Sequence, residues 1–310
     1  MKNIKNLITG KKGEFGVTKG KIAAHETKSS FLFTAPAIIF FLIFLIYPTA
    51  NAFFVSMHKY DIFLPKVFIG FRNYVNLLSS RVFLRSVWVT LLFVFGTAVP
   101  TTVLSLAAAV VLNKAFIGRT FFRTVFFMPS VMSLVAVALI ASGMFDPDGL
   151  VNSLVNIFRS SEKPYYWISS YPNALYAIII VRIWRTFGYY MILYLAGLQG
   201  IPKEYYEAAT VDGVSGWQKF RHITWPLLAP TTAIVTIVLV VNSFQAFTVP
   251  YVMTGGGPAQ KTRIIPIMLY ETAFRDFKMG QASAISVVML LFISVFAVFQ
   301  FRMSKKMYGE

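Results

Sequence analysis

The amino-acid sequence predicts an all-α polytopic membrane protein. Of its 310 residues, 56% are hydrophobic and only 13% are charged, whereas a soluble domain carries about 25% charged residues. The apolar residues are grouped into runs of about 20, the length that a helix needs to cross the hydrocarbon core of a bilayer. The net charge is +17, but the basic residues lie mainly at the ends of these runs. That distribution is typical of topogenic charge and contact with membrane lipid, not of nucleic-acid binding.

Six transmembrane helices are predicted from these runs. They span Phe31–Met57, Leu84–Leu112, Thr124–Phe145, Asn173–Gln199, Pro230–Tyr251 and Gln281–Arg302. The third and the fifth are the shortest. The fourth has the weakest hydropathy, because it contains two arginines.

The orientation follows from the distribution of Lys and Arg. If the N-terminus is inside, the inner segments carry 16 of these residues, seven of them in the tail 1–30, against 10 in the outer loops. Cytoplasmic loops of membrane proteins are enriched in basic residues, so both termini are predicted to be cytoplasmic. The chain then consists of a basic tail (1–30), one membrane domain (31–303) that contains a cytoplasmic loop (201–229), and a short C-terminal tail (304–310).

The segment Glu204–Pro230 is polar and helix-prone, although it lies between two apolar runs. Pro202 suits the first turn of a helix, and Glu204 would then lie near the positive end of the helix dipole. Gly213 is a natural C-terminal stop after Asp212. A helix of about ten residues is therefore predicted.

A second, amphipathic stretch follows, with Trp217, Phe220 and Ile223 at helical spacing. Pro226 is predicted to break it, and Pro230 to open the next span. On physical grounds alone, two interpretations stay open. The segment is either a docking surface for a soluble protein, or a turn that lies on the bilayer with its aromatic side chains as anchors.

The order of residues in this segment resembles the EAA loop of bacterial ABC importer permeases, in which E-A-A-x-x-D-G is followed by I-x-x-P. The matching residues are Glu207-Ala208-Ala209, Asp212-Gly213, Phe220, Ile223, Pro226 and Pro230. Residues 31–303 are similar to the sugar-importing permeases that work with a binding protein. Further similar segments are Pro36 with Tyr47-Pro48, Phe68–Tyr74, Arg123-Thr124 with Phe127, Pro129 and Ser130, and Met253–Pro258.

The resemblance implies the type I ABC importer permease fold, with six transmembrane helices and a cytoplasmic coupling helix in the EAA loop (201–229). It also implies that this loop docks into a groove of a separate ATPase subunit. The residues implied for ATPase coupling are Glu204, Glu207, Ala208, Ala209, Asp212 and Gly213.

The partners that the resemblance implies are a second permease subunit, two ATP-binding cassette ATPases and an extracytoplasmic sugar-binding protein, assembled in the bacterial cytoplasmic membrane. The sequence has no G-x-x-x-x-G-K-S/T phosphate loop. ATP and Mg²⁺ are therefore expected on the partner ATPase, with no cofactor bound by this chain and no catalysis by it.

Polar and aromatic side chains within the fourth and fifth spans are candidates for the substrate pathway, because polar groups in spans usually face protein or a water-filled cavity. A sugar offers apolar C–H faces and hydroxyl edges, which suit aromatic rings beside amides and hydroxyls. The candidates are Trp184, Thr186, Phe187, Tyr190, Asn242, Ser243 and Phe247. The alternative is that these groups join helices to each other.

Arg182 lies nine residues into the fourth span, about 13 Å deep by helix rise. It either pairs with an acidic or carbonyl group of the partner permease, or faces the cavity and attracts an anionic sugar such as a uronate or a glycerol-3-phosphate type of substrate. Arg185 is a second candidate for the same two roles, contact with an anionic substrate or contact with the partner permease.

Other classes of function are less well supported by the residues. The chain has no cysteine and three scattered histidines, so neither a metal site nor a cysteine nucleophile is expected. Asp146, Asp148 and Glu162 are interpreted as solvated loop acids, and Gly255–Pro258 as a turn. An intramembrane enzyme would need a convergent catalytic set, and a passive channel would not need a long docking loop.

Overall fold

The computed structural model describes residues 33–159 and 165–308. The predicted tail 1–30 and Glu162 lie outside the described residues. Within these ranges, four helices are long and apolar enough to cross a membrane, and up to six spans result if each of two bent helix pairs is one span. The predicted all-α fold is confirmed.

The contacts divide the chain into two units, Met1–Phe54 and Val55–Glu310. Helix α1 (Phe33–Ser56) has a mean hydropathy of 2.2 over its most apolar window. It contains one π-helical turn at Leu42–Ile46. Its length and hydropathy are those of a membrane-spanning helix.

The second unit begins with a short strand pair, in which His58 of β1 (His58–Lys59) lies opposite Phe68 of β2 (Val67–Phe68). The helices that follow are α2 (Arg72–Leu78), α3 (Arg81–Asn113), α4 (Arg119–Val131), α5 (Leu134–Met144), α6 (Leu150–Arg159), α7 (Asn173–Gln199), α8 (Lys203–Val211), α9 (Gly216–Leu227), α10 (Ala229–Phe244), α11 (Thr248–Thr254), α12 (Ile265–Tyr270) and α13 (Met279–Tyr308). A π-helical turn at Glu271–Arg275 extends α12.

Helix α7 coincides with the predicted fourth span. Helix α3 begins three residues before the predicted start, because the Ser80 hydroxyl accepts a hydrogen bond from the Phe83 amide and caps the helix. Helix α13 continues beyond the predicted end at Arg302 to Tyr308. The short helices α2, α6 and α12 are not predicted from the sequence, since each is too short to give a clear periodic signal.

The predicted third span, Thr124–Phe145, is wrong as a continuous helix. The chain leaves the helical conformation at Met132 and Ser133, and the axes of α4 and α5 differ by 100°. Pro129 in the last turn of α4 has no amide hydrogen to donate, which weakens the helix just before the break.

The predicted fifth span, Pro230–Tyr251, is also interrupted. Helix α10 ends at Phe244, and α11 begins at Thr248 after a short irregular segment. A continuous helix would need a hydrogen bond from the amide of Pro250 to the Ala246 carbonyl. Proline cannot donate it, and its ring clashes with a carbonyl at that position.

One core cluster of the second unit lies where α3, α7 and α10 meet, and another lies where α3, α5, α7 and α11 meet. Small residues let their neighbours approach closely, as is usual for membrane helices. A Cβ on Gly188 of α7 would lie only 1.8 Å from the Phe126 carbonyl oxygen of α4. On the other side, the Ser105 hydroxyl of α3 donates to the Phe187 carbonyl at 2.7 Å. Helix α7 is therefore the central element of this packing.

Candidate functional site

The first half of the EAA loop is helix α8, which has a well-defined start and end. Pro202 occupies the position just before its first residue, not the first turn as predicted, and Glu204 lies in that first turn. At the other end, the amides of Gly213 and Val214 donate to the Thr210 and Ala209 carbonyls at 3.1 and 3.0 Å. This is a Schellman motif.

The Schellman motif needs a left-handed residue, and Gly213 supplies it with a φ of 71°. A side chain at this position would be strained, although a Cβ there would meet no atom within 4 Å. Gly213 is therefore required for the backbone conformation and not for space. The predicted helix stop after Asp212 is confirmed.

The second half of the loop is helix α9, and its start is also fixed locally. Ser215 and Gln218 form a capping box, in which each side chain accepts from the backbone amide of the other. The predicted break at Pro226 is wrong. The π-helical turn Phe220–Thr224 precedes it and shifts the hydrogen-bond register, so the ring fits, and the axis bends by 64° only at Leu228.

Side-chain contacts join α8 to α9. The Lys219 ammonium donates to the Thr210 hydroxyl at 2.7 Å, and the hydroxyls of Tyr206 and Thr224 are 3.0 Å apart. A groove of about 420 Å³ lies between the two helices. The loop thus keeps its shape through its own hydrogen bonds.

The exposed surface of the loop contains most of the predicted coupling residues. Glu204, Glu207, Ala208 and Asp212 are exposed, whereas Ala209 is buried. Ala209 packs toward α9 and lines the groove together with Ala208. The four exposed residues form an acidic surface with a small-residue patch, and Ala209 supports it from beneath.

The predicted pathway residues of α7 fall on different faces of the helix. Trp184 and Phe187 face α3 and α4, where they line an apolar cavity of about 890 Å³. Tyr190 is almost fully buried, and its hydroxyl accepts a hydrogen bond from the Asn242 amide at 3.3 Å. The structure therefore brings Tyr190 and Asn242 together and separates them from Trp184 and Phe187.

Two predicted pathway hydroxyls are used inside their own helices. Thr186 donates to the Arg182 carbonyl at 2.8 Å, and Ser243 donates to the Leu239 carbonyl at 2.7 Å. Both side chains are buried, and Ser243 has no exposed surface. Asn242, in contrast, is exposed. The amide of this predicted pathway residue therefore lies at the exposed surface of α10.

Phe247 lies in the interruption between α10 and α11 and belongs to an aromatic cluster. Its ring stacks on Tyr251 at 4.8 Å and lies 5.1 Å from the Tyr270 ring. Tyr270 in turn lies 5.4 Å from Phe274. Sequence reasoning does not identify Tyr251, Tyr270 and Phe274, because Tyr251 is the last residue of the predicted fifth span, whereas Tyr270 and Phe274 lie in the predicted loop that follows it.

The two arginines of α7 contact carbonyls of their own chain. Arg182 donates to the Asn242 carbonyl at 3.2 Å. Arg185 donates to the Ser130 and Met132 carbonyls at 3.2 and 3.4 Å. Each Nε is buried without a hydrogen-bond partner among the described residues. Both contacts lie at helix ends, where carbonyls are otherwise free.

The segments Gly255–Pro258 and Asp146–Asp148 both form local turns. Gly255 and Gly256 have left-handed backbones, and the Thr262 amide donates to the Gly256 carbonyl, so the predicted turn at Gly255–Pro258 is confirmed. Asp146 accepts from the Asp148 amide within a local turn. Within residues 33–159 and 165–308, no group of three His, Asp or Glu side chains is arranged to hold a metal ion.

Comparison with known proteins identifies the fold. The chain of a solved bacterial ABC transporter involved in import of the acidic polysaccharide alginate superimposes with a TM-score of 0.79, covering 92% of this chain and 98% of that one at 24% identity. The predicted fold of an ABC importer permease is thereby confirmed.

Two relatives are similar over nearly their whole length. The trehalose/maltose transport system permease protein MalF of Thermococcus litoralis is 34% identical over 283 residues, which are 90% of this chain and 94% of the relative. The sn-glycerol-3-phosphate transport system permease protein UgpA of Agrobacterium fabrum is 31% identical over 278 residues, covering 89% and 94%.

Residues 101–308 match the profile of a family described as "Binding-protein-dependent transport system inner membrane component". The match includes the EAA loop, the C-terminal part of α3 and all the helices from α4 to α13. It confirms the prediction of a transporter permease subunit that is not itself an enzyme. The chain belongs to the family of binding-protein-dependent transport system inner membrane components.

Proposed function

We propose that this chain is the permease subunit of an ATP-driven importer of sugars, of the di- or oligosaccharide class. It would form half of the translocation pathway, with a second permease as the other half. Two ATPase subunits would bind ATP and Mg²⁺ and dock on the EAA loops, and an extracytoplasmic binding protein would deliver the sugar. Both termini and the EAA loop would then lie in the cytoplasm.

The observation that carries the coupling role is the self-supported EAA loop. Its exposed face combines Glu204, Glu207 and Asp212 with the small side chain of Ala208. An acidic surface with a flat patch suits close contact with a basic or amide-rich groove. A loop that only turned the chain would not need a capping box and a Schellman motif to fix its shape.

The sugar class is supported by the relatives, which include a permease named for trehalose and maltose. The second candidate substrate is an anionic one, since another relative is named for sn-glycerol-3-phosphate. A neutral sugar is favoured because Arg182 and Arg185 already donate to carbonyls of this chain. The exposed Asn242 amide beside Tyr190 suits a hydroxylated, uncharged ligand.

The experiment is uptake by the complete transporter, reconstituted in proteoliposomes with its binding protein. We expect uptake of radiolabelled disaccharide with ATP inside the vesicles and none without ATP. Excess unlabelled disaccharide should compete, and glycerol-3-phosphate should not. Uptake without ATP would indicate a passive channel, and competition by glycerol-3-phosphate alone would establish the anionic alternative.

A further inference from the structure

Two membrane helices of this chain stop abruptly within their predicted spans. Helix α10 ends at Phe244, and helix α4 ends at Val131. The last four carbonyls of any helix have no partner within the helix. In a membrane, water is not available to satisfy them, so another group of the protein must do so.

Helix α7 supplies a donor to each of these ends. Arg182 donates to the Asn242 carbonyl, which is in the last turn of α10. Arg185, one turn further along α7, donates to the Ser130 and Met132 carbonyls at the end of α4. A cation at a helix C-terminus is stabilised by the negative end of the helix dipole. This explains how the two charges are accommodated so deep in the protein.

The contact of Arg182 has a further geometric consequence. Helices α7 and α10 are joined in sequence by the EAA loop, and near that loop they already touch. A Cβ on Gly197 would lie 2.4 Å from the Thr231 hydroxyl. The Arg182–Asn242 contact joins the same two helices far from the loop, about 22 Å along α7 and about 16 Å along α10.

We propose that Arg182 is a positioning residue that makes α7, the EAA loop and α10 move as one lever. It does so by fixing the ends of α7 and α10 that lie away from the loop. The same contact orients the Asn242 side chain, which also donates to Tyr190. When the loop is displaced, the Asn242 amide then moves with it, because α7 and α10 cannot slide past each other. This inference rests on the proposed function.

The test compares Arg182→Gln, Arg182→Lys and the matched control Arg185→Gln in the complete reconstituted transporter. Sugar uptake and binding-protein-stimulated ATP hydrolysis are measured together. Since a charge-assisted hydrogen bond is lost, we expect Arg182→Gln to lower uptake about tenfold. ATP hydrolysis should stay within about twofold, because the motor and its docking surface are untouched.

The ratio of ATP hydrolysed to sugar transported is the decisive readout. We expect this ratio to rise about fivefold in Arg182→Gln and about twofold in Arg182→Lys, since lysine keeps the charge but has fewer donors and a shorter reach. Arg185→Gln should lower the amount of folded protein without raising the ratio. A parallel fall of uptake and hydrolysis in Arg182→Gln would overturn the lever.

A distance measurement keeps the proposal testable independently of transport. The chain has no native cysteine, so spin labels can be attached at Tyr176→Cys on α7 and Gln245→Cys after α10, both exposed positions. We expect the distance distribution to broaden in both Arg182 variants during ATP turnover, but not in Arg185→Gln. An unchanged distribution in Arg182→Lys would contradict the proposal. Failure of every sugar in the uptake assay would count against the proposed function alone, because the distance requires no sugar.

Discussion

Helices end in different ways in the EAA loop and in the membrane region. In the loop, α8 ends at Gly213 and α9 begins at the Ser215–Gln218 capping box. The backbone groups at these two helix ends form hydrogen bonds with residues within five positions along the chain. In the membrane region, the ends of α4 and α10 are satisfied by Arg185 and Arg182, which lie 55 and 60 residues away.

This difference indicates that the two regions depend on different residues for their shape. The loop fixes its own shape by local hydrogen bonds, so its exposed face can present a defined surface. The ends of α4 and α10 keep some local hydrogen bonds, such as the one from the Gln245 amide to the Val241 carbonyl, but the carbonyls of Ser130, Met132 and Asn242 are bonded by arginines of α7. Changes at the positions where α7 packs closely against α4 should therefore affect the fold, whereas changes on the loop surface should affect transport and leave the fold intact.

Gly188→Ala should have the largest effect, because it separates α7 from α4. The new Cβ would lie 1.8 Å from a backbone oxygen of Phe126, and backbone cannot move as easily as the end of a side chain. We expect a loss of about 3 kcal/mol or more in stability, at the upper end of overpacking changes. The measurement is the fraction of monodisperse protein that remains in detergent after heating.

Gly143→Ala in α5 is the matched control, since a Cβ there meets no atom within 4 Å. Alanine has a higher helix propensity than glycine by about 1 kcal/mol, so this variant should be as stable as the wild type or slightly more so. Equal behaviour of the two variants would show that α7 is not the packing centre that the structure indicates.

Glu207→Lys should have the next largest effect, on transport and not on the fold. The side chain is exposed, so reversal of its charge should disturb only the proposed docking surface. Like charges across an interface cost several kcal/mol, so we expect uptake to fall more than about 100-fold with normal membrane insertion. Glu207→Gln, which keeps the shape, should give an intermediate loss. Normal uptake together with normal stimulated ATP hydrolysis in Glu207→Lys would exclude the coupling role.

The same difference explains how much of the structure the sequence predicts. The end of α8 at Gly213 and the span Asn173–Gln199 are readable because their signals are local: a glycine after a helix, and a long apolar period. Pro129 and Pro250 are local signs of the breaks at Met132–Ser133 and before Phe247, but the donors that bond the carbonyls left there, Arg185 and Arg182, are brought close only by the tertiary structure. For the same reason, sequence reasoning grouped Trp184 with Asn242, although Trp184 faces α3 and α4.

Gly213→Ala should have the smallest of these effects. It tests whether the loop needs the left-handed backbone of Gly213 or only the absence of a side chain there. A left-handed backbone costs a non-glycine residue about 1–2 kcal/mol, which would reduce the population with the wild-type loop geometry by about 5- to 30-fold. Sugar uptake should fall by up to that factor, with unchanged expression and insertion.

Gly216→Ala is the control, because its Cβ would also lie in open space but its backbone is helical. We expect Gly216→Ala to transport normally. If both variants lose uptake equally, the loss comes from the added methyl group at the docking surface, and the Schellman motif has no special part in coupling.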